Sequence, residues 1–247
     1  MANVFEFHFN PLPHNRSPQA TEGGLARQNP AVFDSFCFLP QTFFEKKQGY
    51  LYIVSEIKNP NQQSQKILAN LAEIIKKYFY QKPIFSSHDP FQLGLNQAND
   101  YLSQWQAPTP NGAMVWGQGN LHFASVAIGP KYNIKVSKTG NIKIILLRGQ
   151  EAFDIGSNFA RENLTGKIFP DVIEGNLQKG DRILMATPEV FQSFQTEKII
   201  EELCLCYKPK LVKQIFKERK KIVREFSGAC LLAFVKKRPV ISFLSRF

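Results

Sequence analysis

The sequence predicts one α+β domain, and three observations carry that reading. Short apolar blocks bounded by turn residues mark strands near the start, in the middle and at the end of the chain. Two long stripes with apolar residues three and four apart mark helices between the first strands and the rest. A hydrophobic content of 43%, with 22 Phe in 247 residues, supplies enough apolar surface for one sizeable core.

In chain order, residues 1–28 are rich in Pro, Asn, Gln and Gly and read as an irregular arm. Within it, Val4 to Phe9 reads as an edge strand from the alternation of Phe5, Phe7 and Phe9. Glu22-Gly23-Gly24 lacks the spacing and the strand–helix context of a phosphate loop. Residues 29–235 form the domain, and 236–247 a basic-aromatic tail. Ala31 to Leu39 and Gly49 to Val54 read as strands. The first helix is predicted over Gln62 to Tyr80, where Ile67, Leu68, Leu71, Ile74, Ile75, Tyr78 and Phe79 share a face and Pro83 lies beyond the end. Phe91, Leu95, Ala98, Leu102 and Trp105 mark the second, with Asp89 or Ser87 as cap and Pro90 in the first turn. Both stripes read as core faces rather than ligand boxes.

After the Ala107–Asn111 loop, strands are predicted over Asn120 to Ile128, Asn133 to Val136 and Ile142 to Leu147, with turns at Gly129-Pro130 and Thr139-Gly140-Asn141. Gln150 to Asn176 reads as a polar, glycine-bearing insertion. Lys179-Gly180-Asp181 is a turn, with Asp181 as turn-former, and it feeds an apolar strand at Ile183 to Met185. Pro188 to Tyr207 reads as a turn plus helix. Lys208 to Arg224 is a basic helical run with Leu211, Val212, Ile215, Phe216, Ile222 and Val223 on its predicted buried side. Ser227 to Val235 is the closing strand.

The totals exclude several classes. No apolar run approaches the roughly 20 residues needed to span a bilayer. The N-terminus lacks the basic start and apolar centre of a signal peptide, so a cytoplasmic location is expected. The four cysteines, Cys37, Cys204, Cys206 and Cys230, have no spacing that suits zinc or a disulfide framework and read as reduced thiols. A net charge of +11 implies attraction to polyanions without naming them.

The segment from Asn176, N-L-Q-K-G-D-R-I-L-M-A-T-P-E-V-F, resembles the "L-x-x-G-D-x-x-L-L-x-T-D-G" segment of the metal-dependent protein phosphatase 2C (PPM) family. The family's metal-binding Asp after Thr is Pro188 here. The first hairpin is similar in spacing to the family's "N-E-D" and "V-A-D-G-x-G-G", with Asn29-Pro30-Ala31 and Val54-Ser55-Glu56-Ile57 at those places. Thr139 to Arg148 runs alongside "V-G-D-S-R-A-Y-L-L-R", with Asn141 for Asp and Lys143 for Arg. The closing strand resembles "D-N-A-T-x-V-V-V", with Ser227 at the last metal-binding Asp. The resemblance implies a PPM-like α-β-β-α sandwich of two antiparallel sheets flanked by helices, with Gln150–Asn176 as the variable flap. In active members carboxylates hold two hard cations, and a bridging water attacks phosphorus. The vestigial metal-site positions here are Ala31, Glu56, Asn141, Pro188 and Ser227, of which Glu56 alone is charged. One carboxylate does not offset two divalent ions against their mutual repulsion.

Other chemistry finds less support. Glu151, Asp154, Asp171, Glu174 and Glu189 are not paired on one element with a neighbouring His. His8, His14, His88 and His122 have no nucleophile elbow such as G-x-S-x-G nearby. All of these read as surface charge. The expectation is therefore a catalytically degenerate PPM-type serine/threonine phosphatase-like domain, without metal or other cofactor, acting as a binding or regulatory module in signalling. Its expected partner is an acidic or phosphorylated protein, met through Lys213, Lys217, Lys220, Lys221 and Arg224. Nucleic acid has little support because aromatic interleaving is confined to the tail; the tail also offers a route to a membrane surface. Two alternatives stand beside it: an active phosphatase with Mn or Mg on a shifted ligand set around Glu56, and a basic adaptor for an anionic surface.

Overall fold

The computed structural model describes residues 3–9, 31–81, 89–104, 119–160, 167–169 and 172–235. In chain order the first half comprises β1 (Asn3–Phe9), β2 (Ala31–Phe38), α1 (Phe43–Gln48), β3 (Tyr50–Lys58), α2 (Ser64–Tyr80) and α3 (Pro90–Ser103). Strands β4 (Leu121–Ile128), β5 (Asn133–Thr139), β6 (Lys143–Arg148), β7 (Glu151–Asp154), β8 (Ile173–Asn176) and β9 (Arg182–Ala186) follow. The chain continues through α4 (Pro188–Thr196), α5 (Ile199–Leu205), α6 (Pro209–Glu218) and α7 (Lys220–Val223) to β10 (Gly228–Phe234).

Two five-stranded antiparallel sheets result, in the orders β1-β10-β9-β6-β7 and β2-β3-β4-β5-β8. Strand alternation explains how they stack. In β3, Leu51, Ile53 and Ile57 pack under α2 and α3, while Tyr52 and Val54 face the other sheet. In β10, Cys230, Leu232 and Phe234 pack against α4, α5 and α6, while Ala229, Leu231 and Ala233 face inward. The layers are therefore helix, sheet, sheet, helix, as the family resemblance implies. The central strands are buried on both faces, which is why β3, β4 and β10 read as continuous apolar runs.

The α2 stripe buries Ile67, Leu68, Leu71, Ile75 and Phe79, each contributing roughly 1.5–3 kcal/mol of burial. Asp89 caps α3 by accepting from the Gln92 N–H, and Pro90 opens the helix. Gly94 lets α3 approach α2 closely, since a Cβ there would sit 2.9 Å from the Ile75 carbonyl oxygen. The Arg182 guanidinium, fully buried, donates to the carbonyls of Leu203, Cys204 and Cys206 at the end of α5 and to Gly149. It thus satisfies a helix terminus from inside the core.

Several expectations change. The edge strand expected at Val4 to Phe9 is present as β1 and pairs with β10 along its length, so this part of the arm is built into a sheet rather than irregular. The insertion is not irregular throughout: it contributes the edge strands β7 and β8, one to each sheet. Pro188 to Tyr207 holds two helices, with Lys198 in the left-handed region between them. Of the predicted buried side of the basic run, Val212 and Ile215 are buried and Phe216 and Val223 pack beside them, but Leu211 and Ile222 are exposed. Consecutive helical residues point in different directions, so neither Leu211-Val212 nor Ile222-Val223 turns both members inward. The short helix α1 has no counterpart in the sequence reading. No helix among the described residues is long and apolar enough to cross a membrane.

Candidate functional site

Strand register gathers the five matched positions at one end of the sandwich. Ala31 opens β2 opposite Lys58 at the end of β3, and Phe33, Glu56 and His122 form a row across β2, β3 and β4. Asn141 sits in the turn that carries the chain from β5 in one sheet to β6 in the other. Lys143 at the start of β6 pairs with Ala186 at the end of β9, and Thr187 then leads to Pro188 in the first turn of α4. Ser227 immediately precedes β10. Thr187 ties these last two segments together: its N–H donates to the Ala229 carbonyl, and its Oγ1 accepts from the Ala229 N–H.

Of the five side chains, Glu56 alone is buried and ionisable. Its Oε2 lies 4.0 Å from Nε2 of His122, and each side chain is 3% exposed. Neither atom has a hydrogen-bond partner among the described residues. The His122 ring is fixed from its other side, where Nδ1 accepts the Asn141 N–H at 3.0 Å. That bond places the proton of the neutral ring on Nε2, which therefore presents a donor toward Glu56. Gly140 makes the arrangement possible: its φ is +66°, and a Cβ would stand 2.2 Å from Nδ1.

Burial sets the electrostatics. It pushes the Glu56 carboxyl up to about 7, with Lys58 opposing the rise and Glu189 adding to it. It drives His122 down to about 4, helped by the charges of Lys58 and Lys138. The Glu189 carboxyl is also raised by burial, against Lys58. Burial lowers Lys138, whose Nζ donates to the Ile142 carbonyl at 2.9 Å. Lys143 donates to Asp154 Oδ2 at 2.8 Å and lies over the Phe191 ring. A carboxyl titrating near neutrality beside a neutral imidazole can hold or pass a proton. Hard cations need several ionised oxygen donors, and Glu56 is the one carboxylate among the five matched positions. His122 offers no lone pair at Nε2, and Lys58 supplies the positive charge that would repel a metal. Among the described residues, no three His, Cys, Asp or Glu side chains converge so as to hold a metal ion. The donor set at this end therefore does not fit a two-metal centre.

No sequence profile of a known family matches the chain, and no curated protein matches it by sequence. Solved structures do match. The phosphatase domain of the cell fate determinant SpoIIE from Bacillus subtilis superposes over 100% of this chain and 98% of its own, with a TM-score of 0.52 at 13% identity. The RsbU and RsbW domains of Rv1364c from Mycobacterium tuberculosis match over 97% of this chain at a TM-score of 0.60 and 12% identity; this chain spans 62% of that one. The catalytic domain of the serine/threonine protein phosphatase PstP, solved with two manganese ions, matches over 96% and 98% at a TM-score of 0.57 and 10% identity. The fold is that of PP2C-type phosphatase domains.

On that PP2C-type frame, two readings of surface charge need correcting. His122 is not a surface residue, because period-two alternation with Ala124 and Val126 turns it into the space between the sheets. Glu189 is partly buried and electrostatically linked to Glu56 and Lys58. His8 fits the surface reading better: it is partly exposed and shares a hydrogen bond with Ser35 Oγ at 2.8 Å. Asp181 is buried, accepts the Gln178 N–H within its turn and holds Arg148 through both carboxylate oxygens. Glu151 and Glu174 sit on the edge strands β7 and β8, and Glu174 pairs with Lys135. His14, His88, Asp171 and the tail lie outside the described residues. Lys213, Lys217, Lys220, Lys221 and Arg224 are all exposed on α6 and α7, and none has an ion-pair partner among the described residues. The four cysteines are free thiols, three of them buried.

Sequence reading missed Lys58 and Lys138 as well as His122. The alternation of Glu56 with Lys58 was a usable signal, since both fall on one face of β3. His122 and Lys138 join that face only once the β3–β4–β5 register is known.

Proposed function

We propose that this chain is a catalytically degenerate PPM-type phosphatase-like domain that works as a binding or regulatory module. The observation that supports this most is the composition of the matched end of the sandwich. One carboxyl, Glu56, stands where five metal-site positions are matched, and it is buried, near-neutral in pKa and faced by His122 Nε2–H. Lys58 supplies positive charge there from within the chain. The overall charge of +11 and the unpaired cations Lys217, Lys220, Lys221 and Arg224 favour an acidic or phosphorylated protein as the partner.

The test is calorimetric titration with Mn²⁺, with turnover of p-nitrophenyl phosphate followed in parallel. The expected result is neither stoichiometric binding nor metal-dependent hydrolysis. Tight Mn²⁺ binding together with turnover overturns the reading.

The electrostatic link between Glu56 and Glu189 favours one competing reading, a diverged enzyme whose ligand set includes both carboxylates. It requires metal-stimulated hydrolysis that Glu56→Gln abolishes. Hydrolysis that persists in Glu56→Gln removes this ligand set from consideration.

A further inference from the structure

The end of the sandwich opposite the Glu56–His122 pair carries a different surface. A groove of about 540 Å³ runs between the start of β1, the end of β2 and the first turn of α6, with Leu39, Lys210 and Lys213 among its walls. Beside it the chain leaves β2 through Leu39 into the six-residue helix α1. This helix is held by its own terminus. Thr42 Oγ1 accepts the Glu45 N–H, and Glu45 Oε2 accepts the N–H groups of Gln41 and Thr42, forming a capping box.

Helix α1 buries none of its residues. It projects Phe43, 69% exposed, and Phe44, 47% exposed, next to Leu39 at 45%. Phe43 is the most exposed large apolar side chain among the described residues. Lys47 Nζ lies 4.8 Å from the Phe43 ring centre and 5.9 Å from that of Phe44. Lys46 is exposed beside it. Leu39, which shares the groove wall with Lys210 and Lys213, precedes the aromatic pair by only a few residues, so the pair and the basic start of α6 lie at one end of the fold.

We propose that this end is a docking face for an anionic lipid bilayer. Phe43, Phe44 and Leu39 enter the headgroup region, and Lys46, Lys47, Lys210 and Lys213 meet the anionic headgroups. Charge complementarity supports the assignment, because none of these four lysines has an ion-pair partner among the described residues. The four lysines outnumber the two nearby acids, Glu45 of the capping box and Glu6 in the groove wall, so the face keeps a net positive charge. Shape supports it too. The aromatic pair stands outside the groove walls, as an interfacial wedge must. An acidic protein segment would instead need its apolar contacts inside the groove. Anionic surfaces attract each of the four lysines within a Debye length.

The test is co-sedimentation of the full chain with vesicles of phosphatidylcholine alone or of equal parts phosphatidylcholine and phosphatidylserine. The expected result is binding to the mixed vesicles only, weakened by salt. Phe43→Ser with Phe44→Ser, and separately Lys210→Glu with Lys213→Glu, should each lower partitioning by about tenfold or more. All four positions are exposed, and unchanged circular dichroism and melting verify that the variants fold. Absence of binding to either vesicle, or equal binding to both, overturns the proposal. Loss through the lysines without loss through the aromatics also overturns it, and assigns the face to a soluble polyanion or acidic protein. Loss through the aromatics alone removes the anionic component and overturns it equally.

Discussion

Replacing Glu56 by Gln tests the physical account of the buried pair. In the unfolded chain a Glu titrates near 4.5, and in the fold Glu56 is pushed up to about 7. Its contribution is full below pH 4.5 and is lost as the pH rises through 7, because ionisation then occurs inside the sandwich. The gap, 7 − 4.5, corresponds to about 3 kcal/mol at ~1.36 kcal/mol for each tenfold change in proton activity. His122 works with the opposite sign. It is driven from 6.5 to about 4, so its contribution is present above pH 6.5 and is lost as the pH falls through 4. From these two groups the wild-type curve is nearly flat between pH 4.5 and 6.5, falls by less than about 1 kcal/mol up to pH 7, and then levels off. Glu56→Gln keeps the shape of the protonated carboxyl and removes the alkaline loss. The variant should exceed wild type by about 2–3 kcal/mol at pH 8, match it at pH 4, and show the rising His122 slope between them. Urea denaturation across that range reads the result. A wild type equal to or more stable than the variant at pH 8 refutes the reasoning. So does a difference that does not vary with pH, since it would mark a packing effect.

Other perturbations follow from the same geometry. Arg182→Met should destabilise by about 3 kcal/mol or more in chemical denaturation, because it strands the buried carbonyls of Leu203, Cys204 and Cys206, which cost ~1–3 kcal/mol each. Gly140→Ala should cost about 1–3 kcal/mol through its positive φ, and it should also shift the His122 ring nitrogens in NMR spectra, since the new Cβ displaces Nδ1. Asp181→Asn should cost about 1–3 kcal/mol by removing a charged partner from Arg148 while leaving the turn's fold intact, read by thermal unfolding with near-native circular dichroism.

The fold was legible where a strand or helix is buried on a simple pattern. The α2 and α3 stripes, the continuous apolar runs of β4 and β10, and Asp89-Pro90 as a helix start all declare themselves locally. Edge elements did not. β7 and β8 are four residues each, largely exposed, and take their structure from β6 and β5 rather than from their own composition. Helix α1 is set by a capping box in a polar setting, with Thr42 and Glu45 three apart. That signal is present in the sequence, but the helix it starts is only six residues long and has no buried stripe to mark it. Gly140 was readable only as a turn residue, because its contact with His122 spans two strands.

The site was legible in part for a related reason. A linear motif placed Glu56, but the groups that decide its chemistry come from β4, from the β5–β6 turn and from α4, and no spacing in the sequence records their approach. On the proposed reading, the same geometry would let such a frame stand by apolar packing alone. None of Ala31, Glu56, Asn141, Pro188 and Ser227 belongs to any of the three apolar clusters that hold the layers together. The inter-sheet cluster runs from Tyr52 and Val54 through Val126 and Ile144 to Ile183 and Leu231, and it closes the sandwich by apolar burial alone. Lys58 then offsets part of the cost of the one carboxyl among these five positions from within the chain. If that is correct, chelators should leave the unfolding midpoint unchanged, because a stabilising metal adds RT ln(1 + [L]/Kd) that chelation would remove. A midpoint that falls in EDTA would mean that a metal holds part of this end of the sandwich.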